Sequence, residues 1–237
     1  METCASSEAL CLYGKKQMAI VWNYRIEMLN GLWWTVKLAA TSAVLAFALA
    51  FVAGVARSSH SLWFNVPATI YVEFFRGTSA LAQLFWLFYV LPFLGVDLSA
   101  FQCGVIGLGL CFSAYGAEVV RICIESVPRG QLEAAAALNL SRFQILRMVV
   151  MPEALIMMMP LLSNLLIELI KATSLVSLIT IPDLTFQAKS VISKTYQSGA
   201  VLLVTLLIYL LISLVVSSSM RKLETHLSRG RSVSNGL

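Results

Sequence analysis

From residue 32 to residue 56 the chain is nearly all Leu, Ala, Val, Phe and Trp, with one charge at Lys37. A helix rises 1.5 Å per residue, so a run of this length matches the hydrocarbon thickness of a bilayer, about 30 Å. Water alone cannot solvate such a segment, and Trp33 and Trp34 sit where an interfacial aromatic belt would lie. The rest of the 237-residue chain agrees, with 59% hydrophobic residues, 12% charged residues and a mean hydropathy of +0.82. Soluble proteins carry roughly twice that share of charge. The composition excludes a soluble nucleic-acid binder, a disordered tail and a secreted disulfide scaffold. Five cysteines (Cys4, Cys11, Cys103, Cys111, Cys123) form no CxxC pair and no metal-ligand spacing.

Four further apolar stretches follow. Residues 80–94 read as a helix entering from the Arg76 side, which the semi-apolar lead-in at 63–75 could lengthen. Residues 98–125 are glycine-rich at the centre (Gly104, Gly107, Gly109, Gly116), which permits close helix packing in lipid. Residues 148–170 make a span broken at Pro160, and 200–216 make a last one running into Arg221 and Lys222. The pattern predicts an all-α integral membrane protein with five transmembrane helices. A polar extracytoplasmic segment occupies 1–28, a membrane domain 29–220 and a cytoplasmic tail 221–237. The first segment lacks the basic start, short apolar run and cleavage site of a signal peptide.

Five spans place the termini on opposite sides. The side shared by the loops after spans one, three and five holds ten of the Lys and Arg residues, against seven on the other. The positive-inside rule then puts the N-terminus outside and the C-terminus in the cytoplasm. On the cytoplasmic side, residues 126–142 include four consecutive alanines beside Leu132 and Glu133, a strong helix former too short and too polar at its ends to cross. Ser126 is placed to cap it and Pro128 to open its first turn. Leu132, Ala135, Ala136 and Phe143 could dock or pack while Glu133 presents a charge. By spacing alone, a linker helix packed on its own bundle is the favoured reading.

Gly130-Gln131-Leu132-Glu133-Ala134-Ala135, followed by Met151-Pro152-Glu153-Ala154, resembles the coupling motif of permease subunits in ATP-driven importers. Four other stretches resemble the polar amino acid branch, typified by the histidine/lysine/arginine and glutamine permeases. They are Phe74-Phe75-Arg76-Gly77-Thr78 with Gln83-Leu84-Phe85, Ala114-Tyr115-Gly116-Ala117-Glu118 with Arg121 and Glu125-Ser126-Val127-Pro128, Asn164 to Leu175 with Lys171-Ala172-Thr173-Ser174-Leu175, and Ile181-Pro182-Asp183-Leu184. Together they cover about residues 30–220. The chain departs from the pattern at Asn139, where the motif usually has glycine, and at Ile156, often arginine.

The resemblance implies the type I ABC importer permease fold, with a short cytoplasmic coupling helix, in a bacterial inner membrane. Glu133, Ala134 and Ala135 would couple to an ATPase, with Gly130 and Asn139 at the bends of the loop. Implied partners are two ATP-binding subunits, a second permease subunit (a homologous one in preference to a second copy) and a periplasmic solute-binding protein. The cargo would be a polar amino acid or an ectoine-like zwitterion. The chain has no GxxxxGK[ST] phosphate loop. ATP and Mg would belong to the ATPase partner, with no cofactor on this chain and no enzymatic role.

Ionisable groups inside a membrane are expensive and default to the bundle interior or a wet cavity. Glu118 and Arg121, three apart, predict an internal structural charge pair, and Glu73 with Arg76 has the same spacing. Asn164, Glu168 and Lys171 fall near one face of span four, offering a cation for a carboxylate and an anion for an ammonium; an internal Glu168–Lys171 pair is the alternative. Thr173 and Ser174 begin an external turn, and Pro182 and Asp183 another. His60 and His226 have no ligand cluster around them. Two rival functions use the same spans. A membrane scaffold needs no ATPase, and a secondary transporter would show an inverted repeat and a midplane carboxylate.

Overall fold

The structure, a computed structural model, describes residues 23–59 and 61–228, with side chains through 225. His60, His226, Cys4, Cys11 and most of the 1–28 segment fall outside this description, as do Arg229 and Arg231. Helix α1 (Arg25–Arg57) is followed by α2 (Leu62–Gly77) and α3 (Ala80–Phe85), which runs on through a π-turn at Trp86–Val90 and a 3-10 turn at Leu91–Leu94. Then come α4 (Ala100–Glu125), α5 (Arg129–Ala137) and α6 (Arg142–Ile145), the last entering α7 (Met151–Ala172) through a π-turn at Leu146–Val150. A 3-10 turn at Thr173–Ile179, α8 (Leu184–Thr195) and α9 (Ser198–Ser228) complete it. Among the described residues, four stretches are long and apolar enough to cross a bilayer: Arg25–Arg57, Ala100–Glu125, Arg142–Ile179 and Ser198–Thr225. The bent pair Leu62–Gly77 and Ala80–Leu94 is a candidate fifth, as a broken span or a re-entrant loop.

α4 is the central helix, and its glycines let α1 approach to backbone contact. A methyl group at Gly54 of α1 would stand 2.5 Å from Val120 Cβ and 2.7 Å from the Ala117 carbonyl oxygen, and one at Gly116 would stand 2.7 Å from Ala50 Cβ. Leu45 covers Gly109 as Ala50 covers Gly116, so numbers rise together and the two helices run parallel. α7 runs opposite, with Leu165 at Gly116 and Val176 at Gly104. The core between them is Leu38, Leu84, Leu108, Phe112, Leu165, Leu169 and Val176. The ends of α1 and α4, at Arg57 and Glu125, therefore meet at one end of the bundle, where α5 lies. The start of α1 meets α8 at the other, with Leu184 against Gly31 and Thr35.

Three expectations need correction. Pro160 does not break its span: α7 is continuous across it, and the irregularity sits instead at the Leu146–Val150 π-turn. Met158 is fully buried beside Pro160, so packing holds the helix where a bond is lost. The 63–75 lead-in does not lengthen the second span, because α2 and α3 differ in direction by 98°. Gln83 Nε2 pins that elbow by donating to the Phe75 carbonyl at 3.0 Å and to Thr78 Oγ1 at 2.6 Å. Ser126 does not cap α5; its hydroxyl donates back to the Ile122 carbonyl at 2.6 Å and closes α4, leaving Pro128 at the N-cap of α5.

Candidate functional site

α5 is a nine-residue helix anchored on one side only. Ala135 is buried and Leu132 packs beside Val127, while Glu133, Ala134 and Ala136 are exposed. Leu138 and Phe143 nearby are also exposed, at 74% and 69%. The four apolar residues expected to dock or pack therefore divide, with Leu132 and Ala135 facing the bundle and Ala136 and Phe143 facing away. Gly130 is not at a bend: it lies in the first turn of α5, where a Cβ would meet nothing within 4 Å, and the chain turns at Pro128 instead. Asn139 is at a bend. Its φ is +55°, its N–H donates to the Ala136 carbonyl (2.9 Å), and the Leu140 N–H donates to the Ala135 carbonyl (3.3 Å). That pair of bonds is a Schellman C-cap with Asn139 at the left-handed position, where glycine is commonest and Asn the usual substitute.

At the same end Glu118 collects three arginines. Arg121 lies beside its Oε1, Arg57 Nη1 is 2.6 Å from its Oε2, and Arg76 Nη1 is 3.8 Å from Oε2. Arg57 also reaches Glu73 at 3.4 Å, and Arg121 reaches Glu125 at 2.6 Å. Three guanidiniums and three carboxylates thus balance. Glu73 bonds across to α1 rather than to Arg76, so the intrahelical pair suggested by their spacing gives way to a network joining α1, α2 and α4. The Arg76 guanidinium also lies over the Tyr115 ring, 5.7 Å from its centroid. Spacing within one helix finds Glu118 with Arg121; the part played by Arg57, 61 residues away, has no local signal.

Asn164, Glu168 and Lys171 all lie on the exposed side of α7, opposite buried Leu165, Leu169 and Ile170. No ion pair joins Glu168 to Lys171 among the described residues. A carboxylate and an ammonium on the open face of a spanning helix cannot rest against acyl chains, so this face meets protein or water in the membrane.

The opposite end holds a buried carboxylate that spacing does not single out as functional. Asp183 is fully buried and caps α8, accepting from the backbone N–H groups of Thr185 (3.1 Å) and Phe186 (3.0 Å). The Tyr209 hydroxyl donates to its Oδ2 at 3.4 Å, and the adjacent Leu184 N–H donates to Thr35 Oγ1 at 3.0 Å. Burial pushes the Asp183 carboxyl up to about 6, against the pull of these hydrogen bonds. No group of three or more His, Cys, Asp or Glu side chains could hold a metal ion among the described residues.

Known proteins share this fold. The chain is 41% identical over 224 residues to the probable amino-acid ABC transporter permease protein y4tF of Sinorhizobium fredii, covering 92% of this chain and 94% of that one. It is 35% identical over 218 residues to the octopine transport system permease protein OccM of Rhizobium radiobacter, covering 87% and 88%. A crystal structure of an amino acid ABC transporter with histidines superposes with a TM-score of 0.82 at 30% identity, over 87% of this chain and 96% of that one. An inward-facing MetNI methionine ABC transporter shares the fold at a TM-score of 0.74 and 17% identity, over 86% and 98%. Residues 46–229 match the binding-protein-dependent transport system inner membrane component family, and the chain belongs to it.

Proposed function

We propose that this chain is one of two permease subunits of an ATP-driven importer that receives a polar amino acid, or a related small zwitterion, from a periplasmic binding protein. One observation carries the coupling half of the reading: α5 stands clear of the bundle, fastened only through Leu132 and Ala135, with Glu133, Ala134, Leu138 and Phe143 exposed. A short rigid helix with an open charged and apolar face transmits displacement from a docked ATPase, where a flexible loop would absorb it. Gly130 leaves the first turn of that helix without a side chain, so a partner surface can approach it. In this reading the chain crosses the bilayer five times, with α3 and the turns that continue it to Leu94 as the second crossing, the N-terminus outside and the C-terminus in the cytoplasm. Asn164, Glu168 and Lys171 line the solute path, the ammonium facing the solute carboxylate and the carboxylate its ammonium. The exposed charges of that face call for a second permease subunit to enclose the path, and a homologous one is favoured. The names of the relatives, among them permeases for octopine and for histidine, lysine, arginine and ornithine, support a cargo of this class.

The test is to purify the chain from its native membrane in mild detergent with whatever accompanies it, reconstitute the complex, and measure uptake of labelled histidine, arginine, glutamine and ectoine. A stoichiometric ATPase, with uptake that needs ATP and is lost in Glu133→Ala, is the expected result. Unaltered transport-linked ATP hydrolysis in Glu133→Ala would remove the coupling role. Absence of any ATPase would favour a scaffold or an ATP-independent transporter.

A further inference from the structure

α2 divides into two faces. At 100° per residue, Trp63, Val66, Ile70 and Phe74 fall within about an 80° arc, opposite Val72. Val72 is fully buried against Ala114 and Ala117 of α4, and Tyr71 shares a hydrogen bond with Ser113 at 2.5 Å. The polar residues Asn65 and Thr69 turn toward the end of α1, Asn65 Nδ2 donating to the Arg57 carbonyl at 2.6 Å. The stripe itself is uncovered: Trp63 is 89% exposed and Ile70 65%. It carries no charge, and its one polar atom is the Trp63 indole N–H. Beside it the elbow encloses an apolar groove of about 440 Å³ between Phe74, Phe75, Trp86, Leu87 and Gly107. The axis of α2 turns 98° away from α3, which runs alongside α4 with Leu84 against Gly107 and Leu87 against Cys103.

We propose that α2 does not cross the membrane but lies along the leaflet at the Arg57 end, its Trp63–Val66–Ile70–Phe74 stripe and the elbow groove taken up by lipid acyl chains. A helix nearly perpendicular to its spanning neighbour, with Val72 packed on α4, Asn65 and Thr69 turned to the end of α1 and an aromatic stripe outward, has the character of an interfacial helix. The chemistry of the face selects lipid over a protein partner, for the face of this chain that needs protein or water is the charged one on α7. Two ties hold α2 at this level, the Asn65–Arg57 bond at its start and the Arg57–Glu73 ion pair, with Arg57 itself at the end of a span. The inference rests on the membrane-spanning fold and not on the cargo or the ATPase.

The experiment places single spin labels at positions 63, 66, 70 and 74 of a cysteine-free full chain. The chain is purified with its accompanying subunits and reconstituted in phosphatidylcholine–phosphatidylglycerol vesicles, and oxygen is compared with a water-soluble nickel relaxer. All four labels are expected at one shallow depth and open to oxygen. A depth that ramps by about 16 Å from position 63 to 74 would mean an upright spanning helix and overturn the proposal. Labels closed to both relaxers would mean a protein-covered face and overturn it equally. If the cysteine-free chain does not assemble, Trp63→Phe in the native background reads the same point. The fluorescence it removes should be quenched by lipids brominated near the glycerol, and quenching only by lipids brominated at the chain ends would refute the placement.

Discussion

Asn139 shows what one residue can do to a helix end. A left-handed backbone costs an ordinary L-residue roughly 1–2 kcal/mol, less for Asn and nothing for Gly. The Schellman bonds from the Asn139 and Leu140 amides depend on that conformation. Asn139→Ala should therefore open the cap, raising hydrogen exchange at the Leu140 amide about fivefold, and Asn139→Gly should leave it protected or slow it further. Equal exchange in all three proteins would show that the cap is held by other contacts. Asp183 poses the second residue-scale test. Its folded-state value, about 6, stands above the ordinary carboxylate range, so the folded protein holds the proton more tightly than the unfolded chain. The resulting stability is fully present below about pH 4 and is lost as the pH rises through 6, on the order of 3 kcal/mol at most. Asp183→Asn, which keeps a neutral cap, should match the native protein's thermal midpoint near pH 4.5 and exceed it at pH 7.5. A native midpoint that is flat or rising over that interval would contradict the burial argument. The bend at Asn139 is readable in the sequence because the conformational tolerance of Asn is local. The burial of Asp183 is not, since it comes from Gly31 and Tyr209 on distant helices.

Among the elements, those whose fate is decided by length and hydropathy are legible in the sequence, and those decided by neighbours are not. α4 begins and ends close to the limits of its apolar run, because a spanning helix satisfies its own backbone and needs only enough apolar residues, while α1 starts at Arg25, ahead of its run, and α9 continues to Ser228, past the end of its own. The elbow before α3 has no such signature because Gln83 makes it, reaching back to Phe75 and Thr78. Proline acts unevenly inside this bundle: Pro160 passes through α7, while each π-turn ends two residues before a proline, Pro92 and Pro152, whose ring crowds the carbonyl four residues back. α5 is legible as a helix from its alanines, and its rigidity is open to test. Ala134 and Ala136 are exposed, so glycine at each removes no packing and costs about 1 kcal/mol of helix propensity apiece. The double variant should keep the thermal midpoint of the complex while lowering solute uptake per ATP hydrolysed. Full uptake per ATP with a loosened α5 would show that stiffness of this element is not what couples.

At the scale of the whole molecule the two ends of the bundle are fastened by different chemistry. The end with α8 uses a buried carboxyl, hydroxyls and backbone amides, with one solvent-facing ion pair between Lys194 and Glu27 at 2.9 Å; the end with α5 uses the charges around Glu118. Because α1 and α4 run parallel, their last turns arrive together, and Glu118 is where α1, α2 and α4 are joined beside the start of α5. Glu118→Gln keeps the shape and removes one negative charge, leaving three guanidiniums facing two carboxylates. Leaving a partly buried guanidinium without its partner costs about 1–3 kcal/mol, so the thermal midpoint of the complex should fall. Arg57→Gln alone should also lower it. The double variant should recover part of the loss, since it removes the uncompensated charge along with its partner, giving a coupling energy of about 0.5–3 kcal/mol. Strict additivity would mean that the two side chains, though 2.6 Å apart, act independently. Uptake gives a second reading of the same variants. If this joint carries motion from α5 into the bundle, Glu118→Gln should lose uptake at temperatures well below its midpoint, where the complex remains assembled. Normal uptake there would confine Glu118 to holding the three helices together.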